Sequence, residues 1–164
     1  MTRTSKATEE TGQEYLAFSL GGEEYAVNIL KVQEIRAYER VTRIAHTPAF
    51  MKGVMNLRGA VVPVVDLRVR FDVGSASYDA STIVIVINIG QRTIGMVVDG
   101  VSDVVILKPS DVRPAPQIAG VLSAEFLEGV AILDQRMLII VDIDGLMSSK
   151  EMGMIDGLAA VRAA

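Results

Sequence analysis

The sequence predicts a mainly β protein assembled from two copies of one small unit. Three observations carry this. Short runs of Val, Ile and Leu are separated by turn residues at strand-like spacing. The longest apolar stretch, Ile83 to Ile87 continued past Asn88 to Ile89, is far below the ~20 residues of a membrane-spanning helix. The order of motifs in the first half of the chain recurs in the second.

Taken in order, Tyr15 to Leu20 alternates as a strand, Gly21-Gly22 turns the chain, and Glu24 to Val27 returns. Asn28 is placed to cap about two helical turns over Ile29 to Arg36. Ala60 to Val65 reads as a strand that Pro63 confines to an edge or a bulge. Asp66 precedes one helical turn over Leu67 to Phe71. Ile83 to Ile89 and Thr93 to Val98 form a hairpin about Gly90-Gln91, and Met137 to Ile143 is a further strand. The Ala-, Leu- and Met-rich stretch beyond residue 143 reads as a C-terminal helix interrupted by Gly153 and Gly157.

The duplication is visible residue by residue. Phe18-Ser19-Leu20-Gly21 lies over Ile87-Asn88-Ile89-Gly90, Tyr25-Ala26-Val27 over Ile94-Gly95-Met96, and Val32-Gln33-Glu34-Ile35 over Val101-Ser102-Asp103-Val104. With seven extra residues in the second copy, Phe50-Met51-Lys52-Gly53-Val54 lies over Phe126-Leu127-Glu128-Gly129-Val130, and Val65-Asp66-Leu67 over Val141-Asp142-Ile143. The polar stretch 72–80 is the natural seam. The expected organisation is one unit over residues 13–149, divided at about 13–76 and 77–149 with strand exchange left open. A disordered tail is expected over 1–12, and a helix or tail over 150–164. Units this small bury too little surface to stand alone, so the copies should share an interface.

Of 164 residues, half are hydrophobic and 22% charged, with a net charge of −4. That balance supports a packed core and argues against nucleic acid and anionic membranes as partners. There is no cysteine, which excludes disulfides and thiolate chemistry. No signal peptide is expected from the polar first ten residues. The single histidine, His46, beside Thr47-Pro48, suggests a surface turn rather than a metal site. No nucleophile elbow or phosphate-cradling glycine loop occurs. The enzymatic alternative is a small all-β hydrolase using the equivalent carboxylates Asp66 and Asp142; an Asp that closes a strand and caps the next turn is the commoner role. Glu34 and Arg58, each set among aliphatic residues, are the charges best placed to orient a protein partner.

These residues also carry a resemblance. Ile29-Leu30-Lys31-Val32-Gln33-Glu34-Ile35, then Thr47-Pro48-Ala49-Phe50-Met51-Lys52-Gly53-Val54-Met55-Asn56-Leu57-Arg58-Gly59, then Val62-Pro63-Val64-Val65-Asp66-Leu67 resemble the CheW family of chemotaxis adaptors, as does Gly95 to Val104. The likeness runs from about Tyr15 to Met147. It implies two five-stranded SH3-like β-barrels, no enzymatic activity, no cofactor and no metal. It implies a cytoplasmic scaffold, monomeric in isolation, that couples methyl-accepting chemoreceptors to the histidine kinase CheA and builds rings with the regulatory domain of that kinase at membrane-associated arrays, without inserting into the membrane itself. For receptor binding it points to Val32, Glu34, Ile35, Gly53, Asn56, Arg58 and Val84, with Gly95 and Gly129, the glycines permitting close backbone approach. For kinase binding it points to Leu16 and Ile29, and to a second contact at Arg113 and Ile118. There the chain departs from the family by carrying Gln117 and Ile118 after Pro114-Ala115-Pro116.

Overall fold

The computed structural model describes residues 11–39, 41–73, 77–114 and 127–147. Strands β1 (Gln13–Leu20) and β2 (Glu23–Asn28) form a hairpin about Gly21 and Gly22, both at positive φ. Asn28 caps the next turn, its side chain accepting from the Leu30 N–H at 2.9 Å. The result is a single 3-10 turn, Ile29–Lys31, where two helical turns were expected. From Val32 the backbone is already extended as β3 (Val32–Ala37), because β-branched Val32 and Ile35 find a strand to pair with in Ile87 and Ile85. Next come β4 (Met51–Leu57), β5 (Ala60–Asp66), the short helix Leu67–Arg70, β6 (Ile83–Ile89), β7 (Arg92–Val98) and β8 (Gly100–Leu107). A 3-10 turn, Pro109–Asp111, leads to β9 (Val112–Arg113). Then β10 (Leu127–Leu133), β11 (Arg136–Val141) and the helix Ile143–Met147 complete the described chain.

Two sheets result. One has the order β8-β1-β2-β11-β10-β9 and the other β3-β6-β7-β5-β4. Neither follows the contiguous halves 13–76 and 77–149. The five-stranded sheet takes all its strands from between Val32 and Val98, and the six-stranded sheet takes its strands from either side of that segment. The copies have exchanged strands: Phe18 of β1 pairs with Val101 of β8, and its counterpart Ile87 of β6 pairs with Val32 of β3. Each hairpin is completed by the third strand of the other copy.

Both sheets close on themselves in the same way. In the first, β8 continues through one turn into β9, which pairs with β10 at Arg113–Val130. In the second, the chain leaving β3 reaches the far edge, where Thr42 and Val54 exchange two backbone hydrogen bonds of 2.9 Å. The equivalence extends to the parallel junctions, Ala26–Ile140 and Gly95–Val64, and to register shifts before Gly129 and Gly53.

Side chains alternate between two destinations, as strands require. One face of each barrel lines its own interior: Ala17, Ala26, Val105, Leu138 and Ile140 in the first, Val62, Val64, Val84, Val86 and Val97 in the second. The other face builds one larger core between the barrels, where Leu16, Phe18 and Tyr25 meet Ile85, Ile87, Ile94 and Met96, closed by Leu67, Phe71 and Leu146. Pro63 corrects the edge expectation, since β5 lies between β7 and β4. The position tolerates proline because the ladder to β7 begins only at Val64, so no donor is missing there. Most of the expected C-terminal helix and residues 1–10 of the expected tail lie outside the described residues. Gly12 already sits against β8, where an added Cβ would fall 2.2 Å from the Ile106 side chain.

Candidate functional site

The residues expected to bind a receptor fall mostly on the closing seam of the second barrel, where β3 and β4 are the outer strands. Glu34 on β3 and Arg58 in the β4–β5 turn are joined as an ion pair across that seam, with a further Nη1–Oε1 contact of 3.4 Å. Gln33 Nε2 donates to the same carboxylate at 3.1 Å and Arg36 Nη1 at 3.4 Å. Hydrogen bonding from Arg58, and next from Gln33, holds the Glu34 carboxyl down to about 2, and the Arg58 guanidinium is raised in return. Arg58 is presented by local geometry. It stands at φ 52 before Gly59 at φ 92, and Asn56 Oδ1 fixes the turn by accepting from the Gly59 N–H at 2.7 Å. On β3 and β5 of the same barrel two aliphatic residues face solvent, Ile35 (44% exposed) and Val61 (46% exposed). Sequence reasoning missed Val61, which the alternation of β5 could have indicated.

Three expectations change in meaning. Val84 and Leu16 are each only 2% exposed, the first inside the second barrel and the second in the core between barrels, so neither side chain is offered to a partner. The glycines make room for the chain itself. A Cβ on Gly53 would lie 2.2 Å from the Thr42 carbonyl oxygen, one on Gly129 2.5 Å from that of Arg113, and one on Gly95 2.9 Å from the Val84 side chain. Gly53 and Gly129 are therefore the points where each barrel closes. Val32 is half-buried against the shared core.

The kinase-binding expectations segregate to the other barrel. Leu16 lies on β1, and Arg113 is exposed on β9. Ile29 is half-buried beside Leu30, whose side chain is 77% exposed and was not singled out from sequence. Gln117 and Ile118 lie outside the described residues. This barrel also carries a counterpart of the Glu34–Arg58 pair. Arg136 donates to Asp103, the equivalent of Glu34, at 3.0 and 3.1 Å, and to Glu24 at 2.9 Å through two nitrogens. Those hydrogen bonds lower both carboxyls. The alignment of Val101-Ser102-Asp103-Val104 with Val32 to Ile35 contained this signal.

The carboxylates of the hydrolase alternative are otherwise engaged. Asp66 is fully buried, accepting from the Arg68 backbone N–H at 2.9 Å, from Arg68 Nε and Nη2 at 3.1 and 3.0 Å, and from the Tyr78 hydroxyl. Asp142 accepts from the Gly145 N–H at 3.0 Å as a cap in the other barrel. Each closes its own strand and turn, and no hydrogen bond joins them. His46 is exposed in a turn at φ 63. Among the described residues no group of His, Asp and Glu is arranged to hold a metal, and no helix is long and apolar enough to cross a membrane.

Paired barrels with a common core, carboxylates committed to structural hydrogen bonds and exposed aliphatic residues fit the class of protein-binding scaffolds. Comparison with known proteins supplies the family. Residues 14–151 match the CheW-like domain. Over 158 residues the chain is 56% identical to the chemotaxis protein CheW of Klebsiella aerogenes, covering 96% of this chain and 95% of the relative. It is 31% identical to protein FrzA of Myxococcus xanthus over 78% of this chain and 79% of the relative. The crystal structure of the scaffolding protein TtCheW from Thermoanaerobacter tengcongensis superposes with a TM-score of 0.78 at 31% identity, covering 85% of this chain and 95% of that one. The chain belongs to the CheW family, and its role is that of a chemotaxis scaffold without enzymatic activity.

Proposed function

We propose that this scaffold couples the cytoplasmic tip of methyl-accepting chemoreceptors to the histidine kinase CheA, working in the cytoplasm and recruited to membrane-associated receptor arrays. The receptor tip, a helical hairpin, docks on the β3–β4 seam. The observation that supports this most directly is the Glu34–Arg58 ion pair across the seam, on a barrel that also exposes Ile35 and Val61. Aliphatic anchors supply affinity and the fixed charges supply register, which is the helix-in-groove mode. Asn56 belongs to the site as the residue that sets the turn, and Gly53, Gly95, Val32 and Val84 shape it from beneath. The regulatory domain of CheA contacts the other barrel through Ile29 and Arg113, with Leu30 as the most exposed apolar side chain nearby. Ile118 belongs with Arg113 to the second kinase contact. The isolated chain is a monomer and closes into rings only with kinase regulatory domains.

The test is calorimetric titration of a receptor cytoplasmic fragment and, separately, of the kinase regulatory domain. Fully burying an aliphatic side chain is worth ~1.5–3 kcal/mol. Ile35→Ser, removing a residue still 44% exposed, should therefore weaken receptor binding by roughly three- to tenfold and leave the kinase domain's affinity unchanged. Arg58→Ala should act in the same direction. Unchanged receptor affinity in both variants would place the receptor elsewhere.

A further inference from the structure

Among the described residues the chain passes between barrels at two points, from β2 to β3 and from β7 to β8. At each, an ion pair ties the crossover to a short helix, the one that follows β5 or the one that follows β11. Asp99, between β7 and β8, meets Arg68 of the helix Leu67–Arg70 at 2.9 Å. Lys31, between β2 and β3, meets Asp144 of the helix Ile143–Met147 at 3.1 Å. The duplication places Arg68 over Asp144, while Asp99 lies over Leu30, one residue before Lys31, so the two crossovers carry pairs of reversed charge one position out of register; their surroundings also differ. The Lys31 and Asp144 side chains are 34% and 58% exposed, so salt and water screen that pair. The Arg68 side chain is 2% exposed, against 35% for Asp99, and all three nitrogens of its guanidinium donate hydrogen bonds. It donates to both oxygens of Asp66, to the Ser77 carbonyl at 2.8 Å and to Asp99, and it stacks 5.0 Å from the Tyr78 ring centre.

These contacts link the receptor seam to the kinase-binding barrel. Tyr78 packs on Tyr38, which comes directly after β3, with ring centres 4.8 Å apart, and Lys52 of β4 lies over the same ring. Tyr78 then donates to Asp66, Asp66 holds Arg68, and Arg68 holds Asp99. Asp99 in turn grips the β1–β2 turn of the other barrel. Its Oδ2 accepts from the Gly21 N–H at 2.8 Å, and its own N–H donates to the Ser19 carbonyl at 3.0 Å. A buried, multiply hydrogen-bonded guanidinium has one geometry, whereas an exposed lysine has many.

We infer that Arg68, through Asp99, is the positioning residue that fixes the angle between the barrels and carries the coupling between the receptor seam and the kinase-binding barrel. The inference rests on the proposed coupling function. It assigns that coupling to one crossover, and leaves the Lys31–Asp144 crossover without a part in it.

The test compares Arg68→Lys and Asp99→Asn with Lys31→Met and Asp144→Asn as controls. Residual dipolar couplings on the free protein read the orientation of each barrel. Titrations read the affinity for the receptor fragment, the affinity for the kinase regulatory domain, and the factor by which one changes the other. Arg68→Lys and Asp99→Asn should give barrels whose mutual orientation departs from that of the unmodified protein. The coupling factor should fall at least fivefold, against the 5–150-fold range usual for linked sites, with each separate affinity kept within about twofold. The controls should match the unmodified protein in every measure. Unaltered barrel orientation in Arg68→Lys and Asp99→Asn overturns the inference, as does a parallel fall in both separate affinities, the mark of a merely structural role. If the unmodified protein binds neither partner, the coupling function itself fails and the inference goes with it. A coupling factor lost only in the controls would move the role to Lys31.

Discussion

Closure of the two barrels can be tested with three alanines. Gly53 combines two demands. Its φ of 148 lies where side chains are strained, and its Cβ would strike the Thr42 carbonyl oxygen at 2.2 Å. Gly59 carries the first demand alone, with φ 92 and nothing within 4 Å of an added Cβ. Gly129 carries the second alone, its Cβ meeting the Arg113 carbonyl oxygen at 2.5 Å. Backbone strain of this kind costs about 1–3 kcal/mol. Relieving the Thr42 clash means parting Thr42 from Val54, which loses two hydrogen bonds of 2.9 Å worth about 0.5–1.5 kcal/mol each. Gly59→Ala should therefore lose about 1–3 kcal/mol by strain, and Gly129→Ala about 1–3 kcal/mol by the clash. Gly53→Ala should lose about 2–6 kcal/mol, near the total of the other two. That is a large fraction of the stability of about 5–15 kcal/mol usual for a domain. Urea unfolding followed by circular dichroism measures all three. If Gly53→Ala is no worse than Gly59→Ala, or Gly129→Ala is silent, then chain closure is not what these glycines serve.

Two further outcomes concern the polar groups. The Glu34 carboxyl is held down to about 2 by Arg58 and Gln33, so its folded value lies below its unfolded one. Whatever the pair contributes to the seam is fully present above the ordinary carboxylate range and is lost as pH falls through about 2. Glu34→Gln should abolish the part of acid unfolding that titrates in that window, measured by fluorescence of a dye that binds exposed apolar surface; an unchanged acid profile refutes the assignment. Tyr78→Phe removes a hydroxyl that donates to the fully buried Asp66 and should cost about 1–3 kcal/mol in urea unfolding. A loss below about 0.5 kcal/mol would show that Arg68 alone satisfies that carboxylate.

Much of this was legible in the residues because a strand repeats every second position. Once Phe18 lay over Ile87 and Tyr25 over Ile94, the shared core was defined, and those residues meet in it. Glu34 and Arg58 stood out as charges among aliphatics, and they do pair. Strand exchange was not legible. Val32 and Val101 are so alike that β1 or β6 accepts either, and nothing local distinguishes a hairpin completed by its own copy from one completed by the other. The burial of Leu16 and Val84 was lost for a related reason. Alternation shows that a strand has two faces, but in a pair of barrels one face fills an interior and the other the shared core, so the middle of each of these strands is buried on both faces. Ile29 to Arg36 misled because Asn28 does cap a turn; helical periodicity over eight residues is too short to outweigh a partner strand that lies more than fifty positions downstream.

The interleaving of strands has a consequence for biogenesis. The segment from Val32 to Val98 holds every strand of its barrel, so its strand pairings are all available once Val98 has been made. The hairpin before it must wait for β8 to cover its open edge, because Leu16 pairs with Val27 within the hairpin and finds its second neighbour only at Val104. At about 5–20 residues per second during synthesis, that hairpin exposes Leu16, Phe18 and Leu20 for a time on the order of 10 s. During that interval the nascent chain carries an unmatched, aliphatic strand edge, open to pairing with another nascent copy or to capture by a chaperone.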